Sequence, residues 1–115
     1  MDQPLPGIAR LCEVVRRLRA PDGCPWDREQ TTTSMCSHLL EEAYEALDAL
    51  RTGDDQAAEE ELGDVLLNIA IIAEIAQERG AFDLDRVAAG AADKLVRRHP
   101  HVFGSERADS AAHAY

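Results

Sequence analysis

The segment VLLNIAIIAEIA, from Val65 to Ala76, constrains the fold more than any other part of the sequence. Its 12 residues are apolar except for Asn68 and Glu74, so a helix formed by them is apolar on nearly every side. A membrane-spanning helix needs about 20 such residues, so this segment is too short to cross a bilayer. A small helical bundle buries only one broad stripe of each helix. We therefore predict that part of this surface faces a second subunit, in a homodimer or a dimer of dimers.

Helix caps and helix-stopping residues divide the rest of the chain. Abundant Ala, Leu, Glu and Arg, with only one Trp, two Tyr and two Phe, favour helices over strands. The first predicted helix runs from Ile8 to Arg19, and a loop reaching Gln30 separates it from the second, which starts at one of Thr31 to Thr33 and ends at about Thr52. The third runs from Asp54 or Asp55 to Arg79, and the fourth from Asp83 to just before Pro100. Four helices with short connections predict an all-α fold, a four-helix bundle, in one domain over residues 1–104. The polar, alanine-rich residues 105–115 predict a flexible tail.

The charge and cysteine content exclude several classes of protein. The chain has 22 acidic and 12 basic residues and a formal charge of −10, which disfavours nucleic-acid binding and favours cation binding. Cys12, Cys24 and Cys36 form no C-x-x-C pair, which argues against a zinc site and a disulfide framework. With no secretory signal or membrane span in the sequence, we expect a cytoplasmic protein with reduced thiols and no membrane partner.

Three glutamates lie within little more than one turn of the second predicted helix. Glu41 and Glu45 fall on its polar side, whereas Glu42 lies at the border of the apolar stripe that is expected to face the core. The stripe consists of Cys36, Leu39, Leu40, Ala43, Ala46, Leu47 and Leu50. Taken alone, this helix is best explained as a solvated charged face.

The third predicted helix changes that interpretation. Glu61, Asp64 and Asn68 lie in one column that continues into Ile71 and Ile75, so its polar residues approach the core. Between residues 41 and 64 there are ten acidic side chains and one basic residue, Arg51, and buried carboxylates without partners are costly.

A hard divalent cation with oxygen ligands would resolve this cost, and Mg²⁺ is the usual ion where phosphates supply the other ligands. The i, i+3 pairs Glu42 with Glu45 and Glu61 with Asp64 place two ligands on each helix, which predicts a cage of four carboxylates. Di-iron bundles use Glu-x-x-His pairs, and the sequence has none, so iron is disfavoured. His38 is interpreted as a partly buried polar residue.

Three blocks, GCPWDREQT, then EEAYE followed after 15 residues by ELGD, then DKLVRRHPHVFG, occur in this order. Together they resemble the MazG family of all-α nucleoside triphosphate pyrophosphohydrolases, in a short single-domain form. The resemblance implies Mg²⁺-dependent hydrolysis between the α- and β-phosphates of a nucleoside triphosphate, with Mn²⁺ as a substitute ion. Carried over, the metal ligands are Glu42, Glu45, Glu61 and Asp64, and Glu41 is the general base.

Further residues are candidates for substrate binding. Lys94, Arg97 and Arg98 share one face of the fourth helix, where they either complement the helix dipole or, as the family block favours, contact phosphates. Trp26 is either a core anchor or a wall for the base. Asn68 either hydrogen-bonds the nucleotide or orients a ligand carboxylate.

Two alternatives to a broad nucleotide house-cleaning enzyme remain open. One is a relative with a narrow substrate, such as dUTP, dCTP or phosphoribosyl-ATP. The other is a metal- and nucleotide-binding helical module without turnover.

Overall fold

The structure, a computed structural model, describes residues 6–104. All regular structure in this range is helical, and the chain divides after Phe82 into two compact units. The helices of the first unit are α1 (Gly7–Arg19), α2 (Pro25–Glu29), α3 (Met35–Thr52) and α4 (Asp55–Glu78). Those of the second unit are α5 (Leu84–Arg98) and α6 (Pro100–Phe103). The all-α prediction is confirmed, the four-helix bundle stays a prediction, and the predicted tail lies outside the described residues.

The ends of the long helices follow the capping residues. Asp54 accepts hydrogen bonds from the backbone N–H groups of Gln56 and Ala57 at the start of α4. Asp83 caps α5 in the same way through the N–H of Arg86. Gly53 and Gly80, with φ of 77° and 73°, adopt the left-handed conformation that ends α3 and α4.

The prediction of a loop without regular structure between the first two long helices was wrong in part. It contains α2, whose first residue is Pro25 and whose N-cap is Cys24. Proline is compatible with the first position of a helix because that residue's N–H has no intrahelical partner. A second short helix, α6, begins in the same way at Pro100.

The start of α3 also differs from the prediction. The helix begins at Met35 and not at Thr31 to Thr33. Thr31 and Ser34 form a turn first, in which each backbone N–H donates to the other's hydroxyl oxygen. This reciprocal pair has the form of a capping box, and the N–H of Met35 donates to the Thr31 carbonyl at 3.1 Å, so the turn leads directly into the helix.

The core of the first unit lies where α1 and α3 pack on α4. Val15, Met35, Ala70 and Ile71 are buried together, and partly buried leucine and isoleucine side chains surround them. No residue of α4 from 64 to 76 is exposed. None of the helices within residues 6–104 is long and apolar enough to cross a membrane.

The side of α3 that packs in the core differs from the predicted apolar stripe. The buried residues are Met35, Ala46 and Ala49, and Glu42 lies half-buried on the same side. Leu40 and Leu50, which were expected in the core, are 59% and 53% exposed. The alanine side of α3 allows a close approach of α4, which leaves the leucine side open.

Candidate metal centre

Three carboxylates from two helices converge beside the core. Glu42 and Glu45 lie one turn apart on α3, and Glu61 lies on α4. One carboxylate oxygen from each residue lies within 4.8 Å of the others. The short turn at Gly53 and Asp54 joins the two helices and allows them to pack side by side, which brings the three together.

Two of these carboxylates have buried oxygens with no hydrogen-bond partner. The atoms are Oε2 of Glu42 and Oε2 of Glu61, and among the described residues no other buried side-chain oxygen or nitrogen is in this state. A buried acceptor without a partner costs free energy, and the cost is larger when the group is charged. The fold therefore retains this arrangement against its own stability.

The electrostatics of the cluster follow from this crowding. Burial raises the pKa of the Glu42 carboxyl above its ordinary value, and the charges of Glu45, Asp64 and Glu41 raise it further. Burial also raises the pKa of Glu61, with added contributions from the charges of Glu45 and Asp64 and a hydrogen bond with Glu45. Each of these two carboxyls thus binds a proton more readily than it would in an unfolded chain, and a positive charge placed among them would oppose that effect.

Asp64 and Glu41 lie at the edge of the cluster. Asp64 is half-buried and outside the 4.8 Å group, but its charge raises the pKa of both Glu42 and Glu61. Glu41 is exposed, and its charge also raises the pKa of Glu42. The structure therefore brings three of the four predicted ligands together, with the fourth within electrostatic reach.

The donor set of this cluster fits a hard divalent cation. Carboxylate oxygens are the ligands that Mg²⁺ prefers, and two of them have lone pairs that no described group uses. A cation among Glu42, Glu45 and Glu61 would satisfy those atoms and offset the repulsion between the three charges.

Asn68 supports the turn of α4 that carries Asp64. Its side chain is buried, and its Nδ2 donates to the backbone carbonyl oxygen of Asp64 at 2.8 Å.

Trp26 lies close to the cluster and is not a core residue. Its side chain is 50% exposed, and its ring packs edge-on against His38, with the ring centroids 5.6 Å apart. His38 stands one turn before Glu42 on α3, close enough to lower the pKa of that carboxyl slightly. The sequence did not predict this ring pair, because no local pattern links a residue of α2 to one of α3.

The basic residues predicted to contact phosphates lie in the second unit. Lys94, Arg97 and Arg98 are exposed on the last turns of α5. Their spacing of three and four residues keeps them on one face of that helix.

The part of the sequence that contains the carboxylate cluster and helix α5 matches a known domain. Residues 30–103 match the family model described as the MazG nucleotide pyrophosphohydrolase domain. The chain belongs to the MazG family. The region that matches the MazG domain includes α3, α4 and α5. It therefore contains every predicted metal ligand and the three basic residues of α5 that are predicted to contact phosphates.

Several curated MazG relatives align with most of the chain. It is 47% identical over 105 residues to the nucleoside triphosphate pyrophosphohydrolase/pyrophosphatase MazG of Thermotoga maritima, with 91% of this chain and 40% of that protein covered. It is 45% identical over 106 residues to the nucleoside triphosphate pyrophosphohydrolase of Escherichia coli K12, with the same coverage of each. An enzyme of that name from Mycolicibacterium smegmatis is 40% identical over 106 residues, with 90% and 33% covered. The chain thus spans at most 40% of these relatives' lengths.

Proposed function

We propose that this protein is a Mg²⁺-dependent nucleoside triphosphate pyrophosphohydrolase. It would hydrolyse the bond between the α- and β-phosphates, release a nucleoside monophosphate and pyrophosphate, and so clear surplus or aberrant nucleotides from the cytoplasmic pool. The observation that carries the proposal is the cluster of Glu42, Glu45 and Glu61, with two buried oxygens without partners, inside a MazG domain. The names of the relatives support the reaction class.

We assign two roles to the carboxylates: four of them would bind the ion and one would accept a proton. Glu42, Glu45, Glu61 and Asp64 would hold Mg²⁺, or Mn²⁺ in its place. When bound, the ion offsets the negative charge of the triphosphate and lowers the pKa of a bound water. We assign Glu41 as the general base because its exposed carboxylate lies beside the cluster, where it can accept a proton from the attacking water.

The substrate contacts are proposed from residue chemistry. Lys94, Arg97 and Arg98 supply positive charge suited to phosphates. The half-exposed ring of Trp26 offers a flat apolar surface for the base. Asn68 would act through its bond to the Asp64 carbonyl, by fixing the turn that carries this ligand.

The test is a panel of standard and damaged nucleoside triphosphates incubated with Mg²⁺, with the products identified by mass. We expect a monophosphate and pyrophosphate from several substrates, and no product in excess EDTA. Release of a diphosphate and orthophosphate would contradict the proposal. Turnover of a single substrate would favour the narrow relative. Mg²⁺-dependent nucleotide binding without any product would favour the module without turnover.

We also propose a homodimer, with its contact on the leucine side of α3 and not on Val65–Ala76 as the sequence led us to expect, because no residue of α4 from 64 to 76 is exposed. Leu40, Tyr44 and Leu50 are 59%, 62% and 53% exposed, and Leu47 and Ala43 continue the same face. A contiguous apolar face of this kind is typical of an interface between subunits.

The homodimer proposal predicts that Leu40→Lys gives a monomer in light scattering coupled to size-exclusion chromatography, because a charge at the centre of an apolar interface is costly. Val14→Lys, at an exposed apolar position of α1, is the matched control and should leave the dimer intact. A monomeric unsubstituted protein would contradict the proposal.

A further inference from the structure

Arg19 joins three helices through one side chain. It is the last residue of α1, yet its side chain is only 9% exposed. Its Nε and Nη2 donate to the two carboxylate oxygens of Glu78 on α4, at 2.6 and 2.8 Å. Its Nη1 donates to the backbone carbonyl oxygens of Asp27, within α2, and of Gln30, which follows it.

Gln30 extends this network to α3. Its Nε2 donates to the carbonyl oxygen of Trp26 at 3.0 Å, and its Oε1 accepts a hydrogen bond from the Ser34 hydroxyl at 2.7 Å. The two residues therefore tie α2 to α1, α3 and α4 by polar contacts.

α2 depends on polar contacts for its place, and besides those of Arg19 and Gln30 it has a bond from the Cys24 N–H to the Leu18 carbonyl and one from the Arg28 guanidinium to the Pro21 carbonyl. It has five residues and none is buried, so it contributes little to the core. An isolated helix of this length is unstable in water. The position of the Trp26 ring against His38 thus depends on what fixes the α2 backbone.

We propose that Arg19 is a positioning residue for the nucleotide-binding surface: by holding the α2 carbonyls, it keeps the Trp26 ring against His38, beside the carboxylate cluster. The effect on the substrate rests on the proposed function, whereas the effect on Trp26 does not. The role requires arginine, because a lysine ammonium cannot bind both Glu78 oxygens in the fork geometry and the two carbonyls as well.

The test uses Trp26 itself, since it is the only tryptophan in the sequence. In Arg19→Lys we expect the fluorescence emission to shift to the red and acrylamide quenching to rise about twofold, as the ring leaves His38 for water. The KM for the nucleotide should rise about tenfold, the scale expected when hydrogen bonds to a charged group are lost, with kcat changed less than twofold.

Arg16→Gln is the matched control. Arg16 also forms an ion pair between α1 and α4, with Glu74 at 3.7 Å, and no bond from it to α2 is found among the described residues. Its loss should leave the Trp26 emission, the quenching and KM unchanged. A general loosening of the α1–α4 contact would change both variants alike, and that result would overturn the proposal.

Gln30→Ala is a second variant in case Arg19→Lys does not fold. It removes the side-chain bonds to Trp26 and Ser34 without burying a charge, and should change the emission in the same direction. Unchanged emission and quenching in a folded Arg19→Lys protein would overturn the proposal, and so would a changed emission with an unchanged KM. If the unsubstituted protein has no turnover, the proposed function fails while the fluorescence comparison still tests the positioning of Trp26.

Discussion

Glu61→Gln is expected to lower the rate of nucleoside triphosphate hydrolysis by about 10²- to 10³-fold, the usual cost of removing one group that stabilises transition-state charge. Glutamine keeps the shape of the side chain and removes the negative charge that would hold the cation. The measurement is kcat with saturating Mg²⁺, by release of pyrophosphate. Glu60→Gln, at the exposed neighbouring position on α4, is the matched control and should retain activity within about twofold, as a surface change does.

The same substitution is expected to stabilise the metal-free protein. The folded state raises the pKa of Glu61 above the value of 4.5 that it has in the unfolded chain. Between 4.5 and the raised value, the folded state binds more protons than the unfolded state, so its stability falls as pH rises through that window. The destabilisation is complete once the pH lies above the raised value.

In EDTA at neutral pH, Glu61→Gln should therefore melt at a higher temperature than the unsubstituted protein, and this advantage should shrink as the pH falls towards 4.5. Circular dichroism melts at several pH values measure it. A variant that is less stable at every pH would mean that Glu61 supports the fold. Lower activity together with higher metal-free stability is the combination expected of a group retained for function.

Gly23→Ala is expected to destabilise the first unit by about 2–3 kcal/mol, at the upper end of ordinary single substitutions. A Cβ at this position would lie 2.2 Å from the carbonyl oxygen of Leu18 and 2.6 Å from that of Arg17. The chain passes close to the end of α1 here, where the N–H of Cys24 donates to the Leu18 carbonyl at 2.8 Å. The backbone must move to admit the methyl group, and that bond would be lost.

Thermal melting measures this effect, and the midpoint should fall by roughly 10 °C for a domain of this size. Gly7→Ala is the matched control, because a Cβ there would meet no atom within 4 Å. Its midpoint should change by no more than about 2 °C, as a surface substitution does. A change of no more than about 2 °C in Gly23→Ala would show that the close approach of residue 23 to the end of α1 tolerates a side chain.

Much of the helical structure could be predicted from short-range signals. Asp54 and Asp83 cap helices because a carboxylate accepts from the first N–H groups, whatever the rest of the chain does. Gly53 and Gly80 end helices because they adopt a positive φ without strain. The short helix α2 was missed because the same prolines that interrupt a long helix can begin a short one.

The sequence by itself determined the four long helices and the spacing that puts Glu42 with Glu45, and Glu61 with Asp64, on adjacent turns. Both depend on the helical repeat and on residues a few positions apart. Only the tertiary structure decided which side of α3 packs on α4, and therefore that Glu42 and Glu61 have buried oxygens without partners. It also decided that Arg19 reaches Glu78 and the α2 carbonyls. Apolar residues cover more than one side of α3, so its buried side depends on the helix that packs against it, and no local pattern encodes that choice.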